Sequence, residues 1–325
     1  MANPALNDFV ARARQLRKRD VLDRAAIEAL TALECAGVDA MLLKGPALAR
    51  RLYADGEIRG YSDIDLLIPR QRVALARDVL AKLGYVSAEE VFGIDDVAGI
   101  QHSETWSRPG EGSGPVMIDL HWRLDGCDAP DDLAWEALAA RHGSIELRGA
   151  EAAALGDDGL ALHVALHAAQ HGPGDLKAIG DLARAVERWP PDLWRRAAQL
   201  AEAVQGVPAF AAGLRLLPDG ARIASELGLP PTPELDWKIR NRDARPRGTF
   251  HIGAFADAHG LRQRANVLRR SLFPTRRWIG WEFPWAAEGK ARLALAYACH
   301  ILRAPLWAAR AGRYLARARR ASERG

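Results

Sequence analysis

The chain has 325 residues, 49% of them hydrophobic and 26% charged, and a formal net charge of +4. That length suits two domains better than one, and the composition is that of a globular chain and not of a disordered or fibrous one. It contains no run of about eighteen uncharged apolar residues, so no transmembrane segment is expected.

Met1 to Arg19 lacks the apolar centre of a secretory signal, and Cys35, Cys127 and Cys299 are too scattered for a disulfide or zinc framework. Both features predict a cytoplasmic protein with free thiols. Residues 8–37 have helical periodicity, expected as two helices broken near Asp20 and stopped by Gly37. Met41 to Gly45 then reads as a short apolar strand ending in Lys-Gly, Pro46 to Tyr53 as a helix with Pro at a permitted first-turn position, and Ser62 to Ile68 as a second strand. Arg70 to Leu83 is a predicted helix closed by Gly84. Gln101 to Arg108 and Pro115 to Arg123 form a predicted hairpin around Pro109–Gly114, with His102, Glu104 and Trp106 on alternate positions of its first strand. Beyond Asp125 the pattern turns helical, with helices expected over 131–141, 157–170, 175–188 and 191–204 and a short strand over 144–147. Leu227 to Pro233 is the expected linker. Glu288 to Arg320 reads as one long basic amphipathic helix.

The chemistry concentrates in Ser62-Asp63-Ile64-Asp65-Leu66-Leu67-Ile68. Side chains alternate along a strand, so Asp63 and Asp65 share one face while Ile64, Leu66 and Ile68 enter the core. In Val116 to Trp122 the same alternation leaves Asp119 and His121 opposite the apolar Val116, Ile118, Leu120 and Trp122. Carboxylates on an apolar strand are costly to bury without compensation. Three converging carboxylates suit a hard divalent cation such as Mg²⁺ together with phosphate oxygens. Upstream, Lys44-Gly45-Pro46 joins a strand to a helix N-terminus, where backbone N–H groups and a partial positive charge meet a phosphate. The order of strand, glycine turn, helix and acidic strand is a nucleotide-binding layout with a metal site.

Leu43-Lys44-Gly45-Pro46-Ala47-Leu48-Ala49, Leu52-Tyr53, Arg59 and Asp63-Ile64-Asp65-Leu66-Leu67 resemble the signature of an uncharacterised bacterial nucleotidyltransferase family in the DNA polymerase β-like superfamily. The resemblance covers roughly Met41 to Trp122. It implies an α+β fold: a small mixed-sheet nucleotidyltransferase core over 39–125 flanked by helices, preceded by N-terminal helices over 1–38. A helical accessory domain over 126–237 and a basic, Trp- and Arg-rich helical region over 238–325 follow. It matches Gly45 to the turn glycine, Asp63 and Asp65 to the metal-binding pair and Asp119 to the third carboxylate. Two Mg²⁺ ions and an NTP substrate, ATP first among them, are the implied cofactor and donor. The serine usual after the turn glycine is absent, and the loop from Tyr53 to Tyr61 lengthens the gap to Asp63. Lys44 and Arg59 are therefore expected to take over phosphate contacts, beside Gly45, Ser62 and His121. NMP would pass to an acceptor hydroxyl or phosphate on a peptide, a saccharide or another small molecule. RNA or tRNA end modification, and a nucleotide-binding module without catalysis, are the alternatives.

Two features stand outside that core. His163, His167 and His171 recur every fourth residue on one helical stripe, read as hydrogen-bonded spacers or polar cover, with His167 the one expected to reach the pocket. Glu104 is read as a solvated edge-strand residue, with a fourth acidic group at the site as the other reading. From Lys238 onward there are 20 Lys/Arg and 5 Asp/Glu, against 25 and 36 before it. The two parts therefore carry +15 and −11, and the basic one is expected to meet something anionic.

Overall fold

The computed structural model describes residues 4–54, 57–88, 102–110, 114–258 and 260–323. Glu111 to Ser113 of the expected glycine-rich turn, with Asp55 and Gly56 of the Tyr53–Tyr61 loop, lie outside them. The described residues divide into two units, the first holding those up to Ser87 and from His102 to Pro231, the second holding Ala88 and those from Thr232 onward. The fold is α+β, as the resemblance implied.

The first helix, α1 (Pro4–Cys35), is continuous, not broken near Asp20. Asp20 points outward and pairs with Arg24 one turn on at 3.3 Å, so it supports the helix it was expected to interrupt. Leu22, Ala25, Ala26, Ala29 and Leu33 form its buried stripe. Gly37, at φ 75°, then reverses the chain, with Val38 N donating to Leu33 O at 2.9 Å.

One seven-stranded mixed sheet follows, in spatial order β3-β4-β5-β2-β1-β7-β6. Its strands are β1 (Met41–Leu42), β2 (Ile64–Leu67), β3 (Val86–Ser87), β4 (Ser103–Arg108), β5 (Val116–His121), β6 (His142–Leu147) and β7 (Ala150–Leu155). β2 lies near the middle, parallel to β5 and antiparallel to β1, and all four of its residues are buried. Val116, Ile118 and Leu120 of β5 enter the core while Asp119 and His121 take the opposite face. β7 has a helix-favouring composition, Ala-Glu-Ala-Ala-Ala-Leu, and was not expected as a strand. Pairing to β6 and, in parallel, to β1 overrides that preference. The β6–β7 turn is Arg148-Gly149, with φ 53° and 81°, the two left-handed residues of a tight hairpin.

Helix α2 (Pro46–Arg51) follows the Gly45 turn, and α3 (Val73–Lys82) precedes Gly84. After the sheet come α4 (Asp131–Ala139), α5 (Asp157–His171), α6 (Leu176–Arg188), α7 (Pro191–Ala203), α8 (Val207–Leu214) and α9 (Pro218–Glu226). A single apolar core runs through this unit, from Leu22 of α1 through the sheet to Ala224 of α9.

The second unit is helical: α10 (Pro233–Arg240), α11 (Thr249–Asp257), α12 (Gly260–Leu272), α13 (Arg276–Glu282) and α14 (Lys290–Ser322). A small cluster of Ile279, Phe283, Ala286 and Ala296 is the buried apolar core found in it. Among the described residues, no helix is long and apolar enough to cross a membrane.

Candidate active site

Parallel pairing places Asp65 beside Asp119, and antiparallel pairing places Thr105 of β4 beside Asp119 on its other side. The site is thus one row across three strands. Asp65 has no exposed surface; Lys44 Nζ lies 2.9 Å from its Oδ1 and His121 Nε2 lies 3.3 Å from the same oxygen. Burial alone would raise the Asp65 pKa, but the His121 hydrogen bond and the Lys44 charge hold it well below the usual carboxylate range. The same exchange acts on Lys44: burial pulls the ammonium down, and Asp65, Asp63 and Asp119 more than restore it, leaving it above its ordinary value. Asp119 moves the other way. Burial raises its pKa, Thr105 partly offsets this by donating Oγ1 to Oδ1 at 2.6 Å, and the Asp65 charge raises it further.

Ligand atoms of Asp65, Asp119 and His121 lie within 4.8 Å of one another, a geometry able to hold a metal ion. Asp65 Oδ2 is buried without a hydrogen-bond partner. A buried carboxylate oxygen left without a donor is costly, and a cation satisfies it. Two carboxylates and an imidazole therefore fit a divalent ion.

Asp63 stands outside that group. It occupies the bend entering β2 and is partly exposed. Its charge is nonetheless felt by Lys44 and Asp119, so it lies near the same site. Ser62, its neighbour in the bend, is likewise partly exposed. Gly45 takes φ 53°, and a side chain there would start 3.4 Å from the Asp63 carbonyl oxygen. A glycine is what lets the turn lie against the acidic strand.

Arg59 occupies a different place from the one its expected phosphate role suggested. It is 3% exposed and donates Nε and Nη2 to Asp181 Oδ1 and Oδ2 at 2.9 and 2.6 Å. Its Nη1 donates to the Gly45 carbonyl at 3.3 Å, and Tyr53 donates to Asp181 at 2.6 Å. Arg59 thus fastens the glycine turn to α6. Arg50 similarly ties α2 down, donating to Asp23 at 2.6 Å and to the Glu146 carbonyl at 2.8 Å.

Glu104 is neither solvated nor at the site. It is buried on the opposite face of the sheet, where Arg77 of α3 donates Nε to its two oxygens at 2.9 and 3.1 Å. Alternation had singled out His102, Glu104 and Trp106, but the register brings the intervening Thr105 to Asp119. Only the pairing register could reveal it.

The histidine stripe of α5 lies within electrostatic reach of Lys44 and Asp65. His163 is buried with neither ring nitrogen hydrogen-bonded, so it is not the hydrogen-bonded spacer its spacing suggested. Its ring stacks on His167 at 5.8 Å, and His167 meets His171 edge-on at 4.3 Å. Burial first, then neighbouring positive groups including Lys44, holds His163 well below 6.5 and His167 at about 3. Lys177 of α6, absent from the expected site, feels Asp63 as well as Arg59 and Lys44. Its position at a helix start gave no sequence signal.

A mixed sheet thus presents an acidic row beside a lysine–glycine turn. The family model described as "Uncharacterised nucleotidyltransferase" matches residues 1–219, and the chain belongs to that family. It is therefore an enzyme of the nucleotidyltransferase class. Among solved structures, it is similar to the solution structure of the antibiotic-resistance factor ANT(2'')-Ia at 17% identity, with 55% of this chain and 87% of that one covered and a TM-score of 0.37. A crystal structure of ANT(2'')-Ia with adenylyl-2''-tobramycin is similar at 16% identity, with 55% and 97% covered and a TM-score of 0.38. An antigenic nucleotidyltransferase-like protein from Paracoccidioides brasiliensis is similar at 14% identity, with 57% and 93% covered and a TM-score of 0.35. The search of curated proteins found no match.

Proposed function

We propose that the chain moves NMP from an NTP, with ATP the first donor to test, to a hydroxyl or phosphate of a peptide, saccharide or other small molecule. The reading rests on one observation above the rest: Asp65 is fully buried in the sheet with Oδ2 unpartnered, facing Asp119 and His121. Asp65 and Asp119, with His121 beside them and Asp63 nearby, are the residues that would hold Mg²⁺. A bound divalent ion supplies charge neutralisation on the triphosphate and lowers the pKa of the attacking hydroxyl.

The chain's own groups do the rest. His121 fixes the Asp65 carboxylate. Lys44, already charged and 2.9 Å from Asp65, is placed to meet a phosphate oxygen at the Gly45 turn. Thr105 orients Asp119 through one oxygen, leaving the other to take the proton of the acceptor hydroxyl; burial and Asp65 raise its proton affinity for that task. Arg59 contributes by holding the Gly45 carbonyl and Asp181, and Ser62 stands next to Asp63 in the bend before β2. Asp181 and Arg59 keep the turn rigid, which positioning-dominated phosphoryl chemistry needs. The three free cysteines suit a reducing cytoplasm.

A second reading, RNA end modification, is favoured by the +15 balance from Lys238 onward. Both are tested by following pyrophosphate release from each NTP with Mg²⁺ and peptide, saccharide or RNA acceptors, in wild type and Asp65→Asn. Release that depends on Asp65 and on one acceptor class supports transfer and names the acceptor. Nucleotide binding with no release from any acceptor would favour the non-catalytic module instead.

A further inference from the structure

The second unit contains a cleft of about 530 Å³ that no part of the proposed transfer reaction uses. Apolar clefts of roughly 300–1,000 Å³ with a few placed polar groups are the usual form of small-molecule sites. Here Ile252 and Phe255 of α11, Leu268 and Leu272 of α12, Trp278 of α13 and Trp307 of α14 make the apolar walls.

The polar groups lie together in the lining: Arg247, His251, Ser271 and His300. The Ser271 hydroxyl donates to the Val267 carbonyl at 2.7 Å, so His251 Nδ1, 2.9 Å from Ser271 Oγ, must be the donor of that pair. His251 Nε2 is then the acceptor of its ring. Burial pushes the His251 pKa down, which keeps the ring neutral and that acceptor available. His300 is buried between Trp278 and Trp307, each ring 5.1 Å away edge-on, with Nε2 donating to the Ser271 carbonyl at 2.9 Å. Arg247 is tethered through Nη1 to the buried Glu282 at 2.7 Å while its side chain stays 62% exposed, so its outer N–H groups face solvent at the cleft.

A head group that accepts from a guanidinium and gives a proton to an imidazole nitrogen matches this end. A phosphate monoester, whose second pKa is about 6, carries both an anionic oxygen and an O–H. The walls ask for an aliphatic chain. The stretch from Lys238 onward, with 20 Lys/Arg against 5 Asp/Glu, favours an anion. We propose that this cleft binds a single-chain amphipathic phosphate monoester, its chain between Phe255, Leu268 and Trp307 and its phosphate head at Arg247 and His251.

The test uses the full chain and dodecyl phosphate below its micelle-forming concentration, measured by titration calorimetry and by quenching of tryptophan fluorescence with a brominated dodecyl phosphate. Arg247→Gln removes the cation, and Ala308→Phe narrows the cleft from the exposed side of α14, where Ala308 lines it. Saturable binding of one ligand per chain, weakened tenfold or more in both variants and not displaced by inorganic phosphate, is expected. If Ala308→Phe fails to fold, Arg247→Gln and the quenching of Trp278 and Trp307, read by Trp→Phe replacement, decide alone. Vesicles of anionic phospholipid separate a free amphiphile held in the cleft from a phospholipid head group met at a bilayer surface. Binding to vesicles without binding of monomeric dodecyl phosphate would overturn the cleft in favour of a charged surface. So would equal affinity in wild type and both variants.

Discussion

In the first unit, charges that enter the interior meet partners of opposite sign: Arg59 with Asp181, Lys44 with Asp65, Arg50 with Asp23 and Arg77 with Glu104. In the second unit the small buried cluster of Ile279, Phe283, Ala286 and Ala296 leaves much apolar surface in water. Leu261 and Leu302 are 86% and 78% exposed there, and Arg292, Arg303 and Arg310 stand on the same helix as Leu302. A reaction that depends on charge placement needs rigid, compensated ions in a dry interior. A surface that meets an amphipathic partner needs apolar groups and positive charge where water can be displaced. The two units apply the same residue types to these opposite ends.

The sharpest way to break the comparison is at Asp65. Asp65→Asn should lower nucleotidyl transfer by on the order of 10²–10³-fold or more, measured as pyrophosphate release. Retained activity would remove the acidic row from the chemistry. Next comes the ion pairing itself. Arg59→Ala strands Asp181 and should destabilise the first unit by about 3–5 kcal/mol in denaturant unfolding. Arg292→Ala in the second unit, where both the cation and its partner Glu288 are exposed, should cost no more than about 1 kcal/mol. Similar costs at the two positions would erase the contrast.

A pH series sharpens it further. His163 and His167 have folded pKa values below 6.5, so the unfolded chain binds more protons as pH falls. Stability from these rings is fully present above about pH 6.5 and is lost progressively below it, for His167 down to about pH 3. Denaturant midpoints should fall from pH 7.5 to pH 5, by up to about 1.4 kcal/mol per pH unit for each ring. His163→Gln/His167→Gln should flatten the curve. The smallest effect is expected at Leu302→Ser, on the exposed face of α14, which should stay within about 0.5 kcal/mol of wild type.

Much of the fold was legible where pattern and local chemistry agree. Strand alternation at Ile64 to Ile68 and Val116 to Trp122, the glycine stop at Gly37 and the tail helix all follow from residue order. β7 was not legible, because six residues rich in alanine form a strand only when β1 and β6 supply partners. Of the candidate site residues, the structure gathers Lys44, Gly45, Asp65, Asp119 and His121. It leaves Asp63 and Ser62 partly exposed in the bend before β2 and turns the Arg59 guanidinium toward Asp181.

What the sequence determined by itself is therefore the set of carboxylates, the lysine–glycine turn and the charge division between the two parts, since each is a matter of residue type and local spacing. Tertiary structure alone decided which groups meet. The β4–β5 register chose Thr105 over Glu104 as the partner of Asp119, and the packing of α6 gave Asp181 to Arg59. A one-residue shift in register moves every side chain to the other face, and contacts more than a hundred residues apart leave no trace in local spacing.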